Sequence, residues 1–155
     1  MSKDKIVFFR GPQGSGKSTA AKQFCARQRG LVHLESDDYF LDERGVYRFR
    51  EEDHALARLE CKRESKRWSD LGVTPVVSNT FPVRQEINEY LDVLGLCPDQ
   101  AVVFTCHRGW SALKYAEKSI HSVPASVISA LLARWEEWDG ELEVGKAPTY
   151  LLRNR

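Results

Sequence analysis

The chain has little with which to staple itself, cross a membrane or coat a polyanion. Its four cysteines, Cys25, Cys61, Cys97 and Cys106, form no CxxC pair and no zinc spacing. Each falls in an expected helix, strand or adjoining turn, so they read as reduced, packed thiols. His33, His54, His107 and His121 are scattered, and none is assigned to a metal. The formal net charge of +1 gives no global basic field, so any polyanion site has to be a local patch. The first apolar run, "IVFF", is far too short for a membrane span, and the start "MSKDK" is charged rather than signal-like. A cytoplasmic protein with no membrane partner is the expectation. Internal repeats, low-complexity tracts and linkers rich in Pro, Gly or Ser are missing too. What remains is 155 residues, 42% apolar and 29% charged, enough for one globular domain over 1–155 with a real core.

Strand and helix patterns alternate. "KIVFF" (5–9) is a short apolar run suited to a strand buried on both faces. A helix follows over 16–29, with Ala20, Ala21, Phe24 and Cys25 inward and Gly30 as its stop. "LVHLE" (31–35) is a second strand, and 51–72 a long helix with Ala55, Leu59, Cys61, Trp68 and Leu71 inward. "VTPVVS" (73–78) is a third strand, expected to start after Pro75, which cannot donate to a ladder. A helix over 82–95 begins at a proline and ends at a glycine. A strand over 100–106 and helices over 109–119 and 124–138 complete the pattern, and Trp110, Trp135 and Trp138 read as packing. The tail "APTYLLRNR" adds a last strand or lies along the surface. The fold class this predicts is α/β, with a mostly parallel central sheet covered by helices on both faces.

Between the first strand and helix lies "GPQGSGKST" (11–19), which matches G-x-x-x-x-G-K-[ST] in the required strand–loop–helix context. The fold is therefore expected to be the three-layer sandwich of a P-loop NTPase. Glycines such as Gly11, Gly14 and Gly16 let the backbone curl, so that N–H groups along Gln13, Ser15 and Thr19 turn toward an anion at a helix N-terminus. Lys17 brings a mobile charge to the β and γ phosphates, and the Ser18 hydroxyl suits Mg²⁺. ATP and Mg²⁺ are the implied ligands.

The loop alone does not say whether the phosphoryl group goes to water or to a substrate. The third strand ends "VVSNT", at Ser78 and Asn79, without an acid. The acids follow the second strand instead, at "ESDDYF" (35–40). Asp37 and Asp38 can reach the space before the γ-phosphate, where a carboxylate can take the proton of an acceptor hydroxyl. A metal site and a turn or helix cap are the other uses of such a pair. Tyr39, Phe40, Tyr47 and Phe49 flank it, either to stack on a base or nucleoside or to pin the segment to the core. Arg58, Lys62 and Lys66, with Arg63 and Arg67 beside them, form a basic stripe on the long helix, either a nucleic-acid track or a solvated face.

"GPQGSGKST", "SDDYF", "VVSNT" and the basic stretch before "SVPASVISALLARWEEW" follow one another in an order that resembles the phage-type 5′-hydroxyl polynucleotide kinases. The stretch "DDYFLDERGVYRFREEDHALA" is further similar to small kinase-like domains fused to some eukaryotic ubiquitin-ligase-binding proteins. The resemblance covers roughly residues 5 to 138. It implies that Asp37 is the general base, while Asp38 braces the loop, caps the next turn or assists Mg²⁺ through water. It implies a lid over about 108–123 whose Lys114 and Lys118, i and i+4 on one helix face, grip the transferring phosphates, where the family carries arginine. Arg108 can supply the missing fork. Phe40 stands where the phage kinases have a basic residue, and Asn79 where they have an acid; both positions lie on the acceptor side. The implied activity is transfer of the ATP γ-phosphate to a hydroxyl of a nucleic acid or nucleotide, the polynucleotide 5′-hydroxyl first. A hydroxymethyl group on a modified DNA base, a small metabolite, and a non-catalytic ATP-binding module are the alternatives. The oligomeric state is left open.

Overall fold

The structure, a computed structural model, describes residues 4–144. Strand β1 (Ile6–Arg10) is buried at every position, as an uninterrupted apolar strand inside a sandwich must be. Its side chains alternate between two cores. Ile6 and Phe8 pack with Val77, Val103, Ile87 and Leu91 on one face. Val7 and Phe9 pack with Val76, Phe104, Ala21 and Phe24 on the other. Helix α1 (Lys17–Ala26) covers the second face and helix α3 (Arg84–Leu94) the first. Helix α2 (His54–Asp70) joins the first face through Cys61.

The sheet runs β2 (Leu31–Leu34), β3 (Thr74–Asn79), β1, β4 (Ala101–Thr105), β5 (Leu142–Glu143), and every neighbouring pair is parallel. The α/β sandwich expected from the sequence is the observed fold. With β1 in the middle, the loop after it opens at the centre of the sheet's C-terminal edge, where ligands of parallel sheets bind.

Several details depart from the sequence pattern. Pro75 lies inside β3 rather than ahead of it, opposite Val32. The Thr74 N–H is turned toward β2, donating to the Gly30 carbonyl, so position 75 faces β1, whose first partner is Val76. Helix α2 buries Ala57, Cys61 and Ser65, whereas Ala55, Leu59 and Leu71 are exposed. Its inward stripe is narrow and partly polar, with the Ser65 hydroxyl turned back onto the Cys61 carbonyl at 2.8 Å. The helix expected over 124–138 is α5 (Ala125–Ala133) and stops early. Beyond it the backbone serves other partners: the Glu136 N–H donates to the Pro82 carbonyl and the Glu136 carbonyl accepts from Arg10. Trp135 is not on a helix; its ring lies 4.1 Å from the Arg10 guanidinium. The short strand β5 was not foreseen, and the tail over 147–155 lies outside the described residues.

Candidate active site

The loop 11–16 takes its shape from glycine. Gly14 and Gly16 have φ of 79° and 88°, a region that side chains rarely enter. A Cβ on Gly14 would strike the Tyr115 carbonyl of helix α4 (Ala112–Lys118). The phosphate loop is thus packed directly under that helix. Gly16 caps α1, and Ser18 in its first turn donates to Glu35 Oε2 at 2.6 Å. The same oxygen accepts from the Ser78 hydroxyl at 3.1 Å, and His33 Nε2 lies 2.6 Å from Ser78 Oγ. Burial pulls the His33 imidazole below its usual range, against the opposing charge of Glu35.

Glu35 is the site residue that sequence reasoning passed over. Its signal was present: it is the acid immediately after β2, ahead of the two aspartates. The third strand brings no carboxylate, and Glu35 fills that gap from the next strand along. Ser18 and Glu35 together offer hard oxygen donors, the chemistry Mg²⁺ takes. Lys17 sits between carboxylates. Burial pulls its ammonium below the usual lysine range, and the charges of Asp37 and Glu35 act against that pull.

The two aspartates diverge. Asp38 turns back on its own segment, the 3₁₀ turn Ser36–Phe40, and accepts the Glu35 N–H at 3.2 Å. Asp37 carries a charge that acts to raise the Lys17 ammonium against the pull of burial. Its Oδ1 accepts from the Tyr47 hydroxyl at 3.3 Å, and its Oδ2 lies 3.7 Å from His121 Nε2. The Tyr47 phenol is pushed up to about 12, first by burial and then by Asp37, so it stays a donor.

Asn79 and Phe40, expected on the acceptor side, are committed inside the protein. The Asn79 amide accepts the Ser36 N–H at 2.9 Å and donates to the Tyr90 hydroxyl at 3.3 Å, tying the ends of β2 and β3 together. Phe40 is buried, with Tyr39, Tyr47 and Phe49 packed around it as a small aromatic core of the insert. Tyr39 and Phe49 remain exposed. The basic stripe of α2 is likewise occupied. Arg58 pairs with Glu86 at 2.6 Å and Lys62 with Glu89 at 2.7 Å, both on α3, while Arg67 pairs with Glu64. Its first two cations fasten helix to helix.

The segment 108–123 crosses above the loop. Arg108 Nε donates to the Ser15 carbonyl at 3.1 Å, and its backbone N–H donates to the Tyr115 hydroxyl. Lys114 and Lys118 are exposed on α4, Lys114 with its ammonium 4.3 Å from the Trp110 ring centroid. Beside them an open cavity of about 450 Å³ lies past the ends of β4 and β5, lined by Thr105, His107, Arg108, Trp110 and Glu143. It adjoins the loop through Cys106, whose Cβ is 3.1 Å from where a side chain on Gly11 would start.

A glycine-shaped anion loop between β1 and α1, at the centre of a parallel sheet, is the phosphate-binding element of a P-loop nucleotide-binding protein. Comparison with known proteins places the chain within that class. A model of the AAA domain family matches residues 6–138, and the chain belongs to that family. Solved structures of similar fold include a chain of the Pnkp1/Rnl/Hen1 RNA repair complex, at TM-score 0.64 and 14% identity, covering 84% of this chain and 43% of that one. A gluconokinase from Sinorhizobium meliloti 1021 aligns at TM-score 0.60 and 17% identity over 98% of this chain and 89% of its own. A sugar kinase from Janibacter sp. HTCC2649 aligns at TM-score 0.57 and 24% identity, over 96% and 90%. The fold is that of P-loop kinases.

Proposed function

We propose that the protein is an ATP-dependent kinase whose acceptor is a hydroxyl of a nucleic acid or nucleotide, the 5′-hydroxyl of a polynucleotide foremost. The observation that carries the kinase reading is the placement of Asp37. Supporting it, the Asp37 carboxylate follows β2, its charge acts on Lys17 of the phosphate loop, and its contacts with Tyr47 and His121 differ from those of the Ser18–Glu35 pair.

The loop N–H groups and Lys17 would hold the β and γ phosphates, and the nucleoside would lie toward the cavity beside Trp110. Ser18 would face Mg²⁺ directly and Glu35 would hold Ser18 in place; the ion, when bound, neutralises charge between the phosphates. Asp37 would accept the proton of the attacking hydroxyl as its oxygen bonds to phosphorus and the bond to the ADP oxygen breaks. Arg108 reaches the loop from above and Lys114 and Lys118 stand on the same segment, so the developing negative charge would meet fixed cations.

Support for a nucleic-acid acceptor comes from the order of the motifs and from the structural neighbour in an RNA repair complex. A small sugar or sugar acid is the second reading, favoured by two sugar-kinase neighbours of nearly the same length and by the ion pairs that occupy the basic face of α2. Incubation with γ-labelled ATP, Mg²⁺ and a panel of acceptors decides between them. The panel holds single-stranded and duplex 5′-hydroxyl oligonucleotides, hydroxymethylated DNA, gluconate and common hexoses. Label moving to the oligonucleotides alone is the expected result. Label on gluconate or a hexose establishes the second reading, and hydrolysis alone with every acceptor removes the kinase assignment.

A further inference from the structure

Two segments far apart in the sequence meet over Asp37. Tyr47 belongs to the insert after β2, where Leu41 and Tyr47 form an antiparallel bridge. His121 belongs to the stretch between α4 and α5. Their rings stack face to face, centroids 3.8 Å apart and planes 19° from parallel. Each ring also reaches the same carboxylate, one at each oxygen: Tyr47 at Oδ1 and His121 at Oδ2. Phe49 continues the stack behind Tyr47, 16° from parallel. The turn carrying His121 is shaped for this. Ser122 has φ of 53°, the left-handed region, while Ile120 on the other side of His121 is 87% exposed. The chain turns its imidazole inward and leaves its isoleucine in solvent.

We propose that Tyr47 and His121 form an aromatic clasp that sets the Asp37 carboxylate and ties its setting to the position of the segment 108–123. The proposal rests on the reading of Asp37 as the base. A carboxylate with both oxygens engaged has one orientation, and a base has to be held within a few tenths of an ångström of its proton donor to work. The Tyr47 hydroxyl alone is a long bond; the second contact comes only when His121 is seated. His121 follows three residues after α4, the helix that packs on Gly14 and carries Lys114 and Lys118. The position of the cations over the loop and the setting of the base are therefore coupled through one segment. Tyr47 and His121 are positioning residues acting through Asp37, and neither replaces it.

Four variants test this: Tyr47→Phe, Tyr47→Leu, His121→Phe and His121→Ala, each with the thermal unfolding midpoint recorded. The first measurement needs no acceptor. Amide hydrogen exchange should accelerate over 119–124 in Tyr47→Leu and over 41–49 in His121→Ala, each on the far side of the stack; acceleration confined to the mutated segment overturns the clasp. The second is turnover of ATP, with a 5′-hydroxyl oligonucleotide and with water alone. Tyr47→Leu and His121→Ala should lower kcat at least tenfold, with binding of a non-hydrolysable ATP analogue unchanged. The double variant should be no worse than the more damaged single. The ring-preserving His121→Phe and Tyr47→Phe should recover part of the loss. Unchanged kcat in both, or losses that multiply in the double variant, overturns the proposal. Asp37→Asn separates the two claims: an active Asp37→Asn removes the base reading itself, whereas an inactive Asp37→Asn beside unimpaired clasp variants removes the clasp alone.

Discussion

Lys17 is the residue on which burial and function pull hardest in opposite directions. Its ammonium is desolvated, and the folded state holds its pKa below that of the unfolded chain. Between those two values the unfolded chain binds the extra proton, so stability rises with pH across that window and is depressed below it. Lys17→Met should therefore raise the unfolding midpoint of the nucleotide-free protein at neutral pH while abolishing turnover. Its advantage should shrink as the pH climbs toward the ordinary lysine range, and melts across a pH series read both effects. The aspartates make a sharper contrast. Asp37→Asn should cost roughly 10²–10⁴-fold in single-turnover transfer, the usual worth of a general base, with ATP binding intact. Asp38 accepts a bond within its own turn, so Asp38→Asn should cost about 1 kcal/mol or less in stability and little in rate. Glu35→Gln completes the set: it weakens the hold on Ser18, and its signature is a raised Mg²⁺ requirement for nucleotide binding, read by titration calorimetry. The loop could be read in the sequence because its spacing is local, and the aspartates were singled out by their place just past a strand. Glu35 went unassigned because its partners Ser18 and Ser78 come from two other elements, and only the order of strands puts them together.

Elements show the same limit from the other side. Strand β1 and helix α1 were readable because an unbroken apolar run and a glycine loop have few alternative structures. Helix α2 was readable as a helix but not by face. Its leucines suggest the wrong inward stripe, since burial of Ala57, Cys61 and Ser65 is set by how closely α2 approaches its neighbours, and small residues permit that approach. Its basic residues suggest a polyanion track, yet Arg58 and Lys62 are matched by Glu86 and Glu89 on α3. Replacing both by Ala should lower stability by about 0.5–2 kcal/mol in total, as partly exposed pairs do. It should leave oligonucleotide binding and its salt dependence unchanged, which filter binding at several salt concentrations measures. The loop and α4 form a tighter couple. Gly14→Ala places a methyl group against the Tyr115 carbonyl at a φ that alanine resists. Helix α4 has to shift, and nucleotide affinity should fall together with stability.

At the scale of the whole molecule, the sheet order is what assembles the site. The central strand brings the phosphate loop, an outer strand on one side brings Glu35 and the aspartates, and β4 on the other side leads into the segment that crosses above. A three-layer sandwich was legible in the alternation of patterns. The crossing segment's contact with the insert was not, because Tyr47 and His121 belong to loops whose approach depends on everything between them. Burial of one cation also spans the molecule. Arg10, fully buried, donates to the carbonyls of Phe81, Pro82 and Glu136 and pairs with Glu141 at 3.0 Å. Arg10→Met takes this donor from the Phe81 and Glu136 carbonyls and the counter-charge from Glu141, and a loss of about 3–5 kcal/mol is expected in denaturant unfolding.

That guanidinium also bears on where the folding unit ends. The family match stops at residue 138, a natural place to cut when excising or fusing such a module. Glu141 and strand β5 lie past that point. A chain ending at 138 would keep the motifs and still carry an Arg10 whose ion-pair partner Glu141 had been cut away. Such a fragment should express poorly or unfold at markedly lower denaturant than one ending at 144, although neither cut touches the phosphate loop. The expected border of this module lies past Glu141, the counter-ion of its first strand.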